Sequence, residues 1–273
     1  MSDSELTKIC MSIGYPIKSS KSPSLHTVGY KALGIEDRYV YLRAEVKPEN
    51  LKMAVDGIRG LGIRGVSVTM PHKQEVMKYL DKIDDTAKKI GAVNTIVNES
   101  GKLIGYNTDW IGAVDALKQK TKIKGKKIAV IGAGGAARAI VFGIIKEGGR
   151  VKIFNRTKEK AEEIAKSFGC EFGNLDEISE IKDFDIIINS TSIGMGNPDE
   201  SPVDKKLIGK NQIVFDVVYN PKETKLLRHA KEKGAEIIFG ADMLLYQGAE
   251  QFKLYTGLDA PIEAMKKFME IGK

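Results

Sequence analysis

The chain has 273 residues, of which 42% are hydrophobic and 29% charged, and its formal net charge is +7. That size suits one large or two ordinary domains, and the balance of apolar and charged residues describes a globular protein with a real core. It excludes a helical membrane protein, because no apolar run reaches the length of a span. It also excludes a disulfide or zinc scaffold: Cys10 and Cys170 stand far apart, and His26, His72 and His229 lack metal-ligand spacing, so no metal site is expected. The opening Met-Ser-Asp-Ser-Glu has neither a basic nor an apolar leader segment, so a cytoplasmic protein with no membrane partner is expected.

Strand-like and helix-like stretches alternate along the chain. Residues 8–13 predict a strand. Residues 22–33 predict a helix, with Pro23 in its first turn and Gly34 after its end. Residues 38–46 predict a strand, 48–61 an amphipathic helix, and 65–69 a strand stopped at Pro71. Short helices are expected at 74–80 and 84–90, then a hairpin of 92–98 with 102–106 around Ser100-Gly101, then a helix at 110–119. The lysine-rich run 118–127 contains no aromatic residue to stack bases. It reads as a solvated connection, so the positive charge is assigned to anionic small ligands and no nucleic-acid partner is expected.

The apolar run 128–131 then leads into Gly132-Ala133-Gly134-Gly135-Ala136-Ala137 and an Ala-rich helix to about residue 146. Strand, glycine turn and helix form a dinucleotide-binding pattern. Gly132 permits the tight turn, Gly134 admits a pyrophosphate to the backbone, and small Ala137 allows close helix–strand packing. A second strand at 150–154 completes a βαβ unit and ends in Asn155-Arg156-Thr157. An NAD site usually carries Asp or Glu there, whereas an arginine clamps a 2′-phosphate, so the cofactor reads as NADP. Helix 158–168, strand 185–188, strand 213–215, helix 222–233 and strand 236–239 continue the alternation. Two last helices, 242–255 and 261–271, have no strand left to cover and are expected to pack back onto the first domain. The expected fold is α/β with two domains. Residues 1–110 with 243–273 form a substrate-binding and catalytic domain, and 111–242 a Rossmann-type doubly wound parallel-sheet domain.

Polar clusters stand at the predicted strand ends: Ser20-Lys-Ser22-Pro23, Thr69-Met-Pro-His-Lys73, Ala92-Val-Asn94-Thr95 and Tyr106-Asn-Thr-Asp109. The two serines could grip a carboxylate or merely cap a helix. Asp109 could be an N-cap, and Lys73 a solvated lysine. Their convergence at predicted strand ends of one domain, facing the expected cofactor cleft, favours a site.

Together with Asn189-Ser-Thr-Ser-Ile-Gly-Met195, Asp216-Val-Val-Tyr-Asn-Pro221 and Gly240-Ala-Asp-Met-Leu-Leu-Tyr-Gln247, these motifs make the chain resemble the shikimate dehydrogenase family along nearly its whole length. The resemblance implies NADP-dependent interconversion of shikimate and 3-dehydroshikimate in aromatic amino-acid biosynthesis. It implies Lys73 and Asp109 as the catalytic pair. It places Ser20 and Ser22 on the substrate carboxylate, and Thr69, Asn94, Tyr219 and Gln247 around the ring hydroxyls. On the cofactor side it places Gly132, Ala133, Gly134, Gly135 and Ala136 on the pyrophosphate. Asn155, Arg156, Thr157 and Lys160 fall at the 2′-phosphate, and Val217, Gly240 and Met243 near the nicotinamide. Lys160 stands where the family often has Arg, and Val217 where it often has Met or Leu. The alternatives are an enzyme of the same fold preferring quinate or NAD, and a metabolite-sensing module without turnover. A homodimer stays open.

Overall fold

The computed structural model describes residues 6–271, which divide into two compact units. One runs to Thr108 and resumes at Leu245; the other is Asp109–Leu244. Asp109 therefore opens the second unit instead of closing the first, because it is the first residue of a helix that packs within that unit.

The first unit contains β1 (Lys8–Gly14), α1 (Ser22–Ala32), β2 (Tyr39–Glu45), α2 (Leu51–Gly60), β3 (Gly65–Val68), β4 (Lys82–Ile83), α3 (Asp85–Ile90), β5 (Thr95–Glu99) and β6 (Lys102–Tyr106). Its six-stranded sheet has the order β2-β1-β3-β5-β6-β4. β1 is parallel to β2 and β3, and β5 is antiparallel to both β3 and β6. β1, β3 and β6 thus run the same way. The segments after β1, β3 and β6 and the segment before β5 consequently share one end of the sheet, where all the polar clusters lie. Two details differ from the sequence expectation. Residues 48–50 and 75–79 wind as 3₁₀ turns and not as α-helix. Strand β4, only two residues long, pairs with β6 and carries too few residues to show a period.

The second unit contains α4 (Asp109–Lys118), β7 (Lys127–Ile131), α5 (Gly135–Lys146), β8 (Arg150–Asn155), α6 (Lys158–Phe168), β9 (Glu171–Asn174), β10 (Ile186–Asn189), β11 (Ile213–Asp216), α7 (Lys225–Glu232) and β12 (Glu236–Ile238). Its six strands are all parallel, in the order β12-β11-β10-β7-β8-β9. This is the Rossmann order, with its switch point between β7 and β10. The sequence reading missed β9, whose Glu-Phe-Gly-Asn offers a single large apolar residue. Residues Ile128, Ala129, Val130, Ile186, Ile187 and Ile188 are wholly buried, as strands covered on both faces must be.

Helix α8 (Gly240–Thr256) carries the chain back, and α9 (Ile262–Ile271) follows it; α9 packs on α1. Phe252 and Tyr255 of α8 join Cys10, Tyr30, Tyr39, Tyr41 and Val97 in one apolar cluster of the first unit. Gly65 is fixed by this docking: a Cβ there would stand 2.2 Å from the Tyr255 ring. Arg64 fastens the helix end, its guanidinium donating to the carbonyls of Leu254 (3.1 Å), Tyr255 (3.0 Å) and Asn98 (2.9 Å). A cation there also suits the negative end of the helix dipole. His26 stacks on Tyr41 with centroids 4.3 Å apart, and burial pushes its imidazole down to about 3, so it serves as a neutral core ring. Among the described residues no helix is long and apolar enough to cross a membrane.

Candidate active site

In the first unit, backbone bonds stitch the polar clusters together. The loop after β1 meets the loop after β3 through Tyr15 N to Met70 O (2.9 Å), and Thr69 N donates to Ile13 O (2.9 Å). The Lys73 carbonyl accepts from Val93 N at 2.8 Å, and Val68 N donates to Asn94 O at 2.7 Å. Asn107 Nδ2 reaches Ala92 O at 2.8 Å. His72, beside the lysine, is buried and bonds Val46 O through Nε2 at 2.7 Å, so it anchors the loop and stays out of solvent.

Ser22 is buried in the first turn of α1, while Ser20 is half-buried. The cap position is Lys21 and no side chain caps the helix, so capping does not explain these serines. Arg43 of β2 holds the approach, donating to Lys18 O (2.7 Å) and Ser20 O (3.2 Å).

Asn94 is oriented on every side. Its Oδ1 accepts from Thr108 N (2.7 Å) and Thr95 Oγ1 (2.7 Å), which fixes which end of the amide is oxygen. Its Nδ2 then points to Thr108 Oγ1 (3.0 Å) and Gln247 Oε1 (3.3 Å). Gln251, one turn beyond Gln247 on α8, donates to Thr95 Oγ1 (3.0 Å) and Asn94 O (3.3 Å) and accepts from Ser67 Oγ (2.7 Å). Neither Ser67 nor Gln251 is among the site residues expected from sequence. Gln251 follows Gln247 at helical spacing, and that was the available signal. The structure thus gathers Thr69, Lys73, Asn94 and Gln247 at one sheet end. Asp109 and Tyr219 belong to the second unit: Asp109 is buried at the start of α4, and Tyr219 is half-buried after β11.

In the second unit the turn after β7 has the shape that a dinucleotide needs. Gly132 has φ +109°, and a Cβ there would stand 2.7 Å from Ser190 Oγ. Ala133, Gly135 and Ala136 continue the turn into α5, none of them fully buried. Gly134 is exposed, and a Cβ there would meet nothing within 4 Å, leaving open space above the first amides of α5. The end of β8 presents Asn155 and then exposed Arg156, Thr157 and Lys160; Asn155 Nδ2 donates to Thr157 O at 2.8 Å and shapes the turn. Beyond β11, Val217 is half-buried against Gly240, where a Cβ would stand 2.4 Å from Val217 O. Met243 is buried three residues further on.

Asp216, absent from the sequence-based site, is wholly buried and accepts three hydrogen bonds. Burial pushes its carboxyl up to about 6 although its donors oppose the rise. The folded state therefore holds this proton more tightly than the unfolded chain. Its contribution to stability falls as pH rises from about 4 to about 6 and stays unfavourable above. Asp216→Asn should remove that segment of the stability–pH curve, as urea midpoints between pH 4 and 7 would record.

Known proteins are similar to this chain in sequence and in fold. Residues 12–96 match the shikimate dehydrogenase substrate binding domain, 115–218 match shikimate/quinate 5-dehydrogenase, and 240–267 match the shikimate 5′-dehydrogenase C-terminal domain. The NADP(+) shikimate dehydrogenase of Methanocaldococcus jannaschii is 48% identical over 271 residues, 95% of each chain. A crystal structure of a shikimate dehydrogenase in complex with NADP+ superposes with a TM-score of 0.92 at 47% identity, covering 98% of this chain and 96% of the other. The Thermus thermophilus enzyme in complex with NADP(H) and shikimate gives 0.90 at 34% identity, covering 97% and 99%. With a Rossmann sheet, polar clusters at one sheet end of the first unit and this likeness over nearly its full length, the chain belongs to the NADP-dependent shikimate dehydrogenase family.

Proposed function

We propose that this chain interconverts shikimate and 3-dehydroshikimate, with Lys73 and Asp109 exchanging the hydroxyl proton of the reacting carbon. NADP, when bound, supplies or takes up the hydride. The residues present fit it: the open space over Gly134 receives a pyrophosphate against the α5 amides, and a side chain there would fill it. Arg156, with Asn155, Thr157 and Lys160 beside it, holds the 2′-phosphate. Val217, Gly240 and Met243 support the nicotinamide. Ser20 and Ser22 take the substrate carboxylate. Thr69, Asn94, Tyr219 and Gln247 pair the ring hydroxyls, and such pairing can reject an analogue lacking one hydroxyl by about 10⁴-fold or more. The observation that carries the reading is the oriented amide of Asn94, held with Gln247 and Thr108 beside the Lys73 loop.

Lys73 shares its proton most effectively when a carboxylate fixes its ammonium, which is the part assigned to Asp109. The enzyme is read as cytoplasmic, acting on a small molecule without nucleic acid; sedimentation distinguishes monomer from homodimer. The test is an assay at 340 nm crossing shikimate and quinate with NADP and NAD. The highest kcat/KM is expected for shikimate with NADP, and a higher value for quinate or NAD would replace this reading. A protein that binds both ligands without turnover would be a sensor.

Arg156→Ala gives a second check. A hydrogen bond to a charged group contributes about 1.5–3 kcal/mol, so the variant should bind NADP about 10–100-fold more weakly while NAD changes little. Equal losses for both cofactors would move Arg156 off the 2′-phosphate.

A further inference from the structure

Asp216 ends β11, and each of its three donors belongs to a different segment of the second unit. Asn189 Nδ2 donates to Oδ1 at 2.9 Å, Val218 N to Oδ1 at 3.0 Å, and Thr224 Oγ1 to Oδ2 at 2.6 Å. Asn189 ends β10 and folds the turn that follows it. Its Oδ1 accepts from Thr191 N (3.0 Å) and Thr191 Oγ1 (2.7 Å), and its Nδ2 also reaches Ile193 O (3.2 Å). That turn packs against Gly132 through Ser190 and Thr191. Val218 belongs to the strip after β11 whose carbonyls face Gly240. Thr224 caps α7: its hydroxyl accepts from Leu227 N at 3.4 Å, which leaves its proton for Asp216.

In a doubly wound parallel sheet a dinucleotide crosses at the switch point. One half lies over the strand beside the glycine turn, here β8, and the other falls over the ends of the strands on the opposite side, here β10 and β11. The turn 190–193 and the strip 217–218 are those ends, and Asp216 joins them. A buried carboxylate is a costly way to fill space, and it is retained here with all three donors in place.

We propose that Asp216 is a positioning residue: by anchoring the turn 190–193 and the strip 217–218 to the cap of α7 through Thr224, it fixes where the nicotinamide-bearing half of the dinucleotide rests, without touching substrate. This deepens the dehydrogenase reading and rests on it. In Asp216→Asn the new amide group offers a donor to Thr224, whose own proton loses its acceptor. Thr224→Val removes the same bond, and the α7 cap with it, with almost no change of volume, and Thr224→Ser restores both.

The experiment measures kcat/KM for NADP in shikimate oxidation and, by calorimetry, the affinities for NADP+ and for 2′,5′-ADP, which carries only the adenosine end. Asp216→Asn and Thr224→Val should lose about 10–100-fold in kcat/KM for NADP, the size of one hydrogen bond to a charged group. The 2′,5′-ADP affinity should stay within twofold, and Thr224→Ser should behave as wild type. Unchanged kcat/KM in folded Asp216→Asn or Thr224→Val would overturn the proposal. So would a proportional loss of 2′,5′-ADP binding, which would make the carboxylate a general prop of the unit. If Asp216→Asn does not fold, the two Thr224 variants decide alone. Wild-type protein that binds NADP+ but leaves shikimate untouched would overturn the dehydrogenase reading instead. The difference between NADP+ and 2′,5′-ADP binding in the variants would then still judge Asp216.

Discussion

Lys73→Ala is expected to lower kcat by about 10²–10⁴-fold, the usual contribution of a positioned general acid–base group. KM for shikimate should change far less, since the carboxylate and ring contacts are assigned to other residues. The structure makes this a clean substitution. The backbone at Lys73 is held by Val93 N, and its neighbour His72 by Val46 O, so the loop keeps its course when the side chain is removed. Lys73 is half-buried and leaves no core cavity. Circular dichroism should therefore match wild type, and single-turnover hydride transfer at 340 nm should carry the whole loss. Turnover within a few-fold of wild type would remove Lys73 from the chemistry. A matching rise in KM alone would make it a binding residue.

Much of this was legible because each informative segment is local. A parallel strand buried on both faces reads as an unbroken apolar run, as 128–131 and 186–188 do. A glycine turn followed by a helix, and a strand ending in Asn155-Arg156-Thr157, each lie within a few residues. The parts not legible depend on partners distant in sequence. β4 and β9 are strands only because β6 and β8 pair with them. Residues 75–79 wind as 3₁₀ in the segment after β3, and apolar spacing alone cannot separate that from α-helix. Asp216 draws its meaning from Asn189, 27 residues earlier, and Thr224, eight later. Gln251 matters because Ser67, 184 residues away in sequence, donates to it. Such side chains look like any polar residue at a strand end or on a helix until the fold brings their partners in.

Phe252→Ala is expected to destabilise the first unit by about 3–5 kcal/mol, as truncation of a wholly buried phenylalanine generally does. Phe252 is fully buried and packs on Gly29 so closely that a Cβ there would stand 2.8 Å from its ring; it lies 5.3 Å from the Tyr30 ring centroid. Gly29 has no side chain to move into the space, so a cavity is expected to remain and the loss should lie near the top of the range. The chain has a single tryptophan, Trp110, in α4 of the second unit, so its fluorescence follows that unit while far-UV circular dichroism follows both. In urea the variant should show a dichroism transition at lower denaturant, with the tryptophan transition shifted less. An equal shift of both signals would mean that the two units unfold as one. Function should divide in the same way. Gln247 sits five residues before Phe252 on the same helix, so loosening α8 should raise KM for shikimate, while 2′,5′-ADP, whose contacts are assigned to the second unit, should keep its affinity. If the stability and both affinities match wild type, the returning helix is not what holds the first unit's aromatic core together.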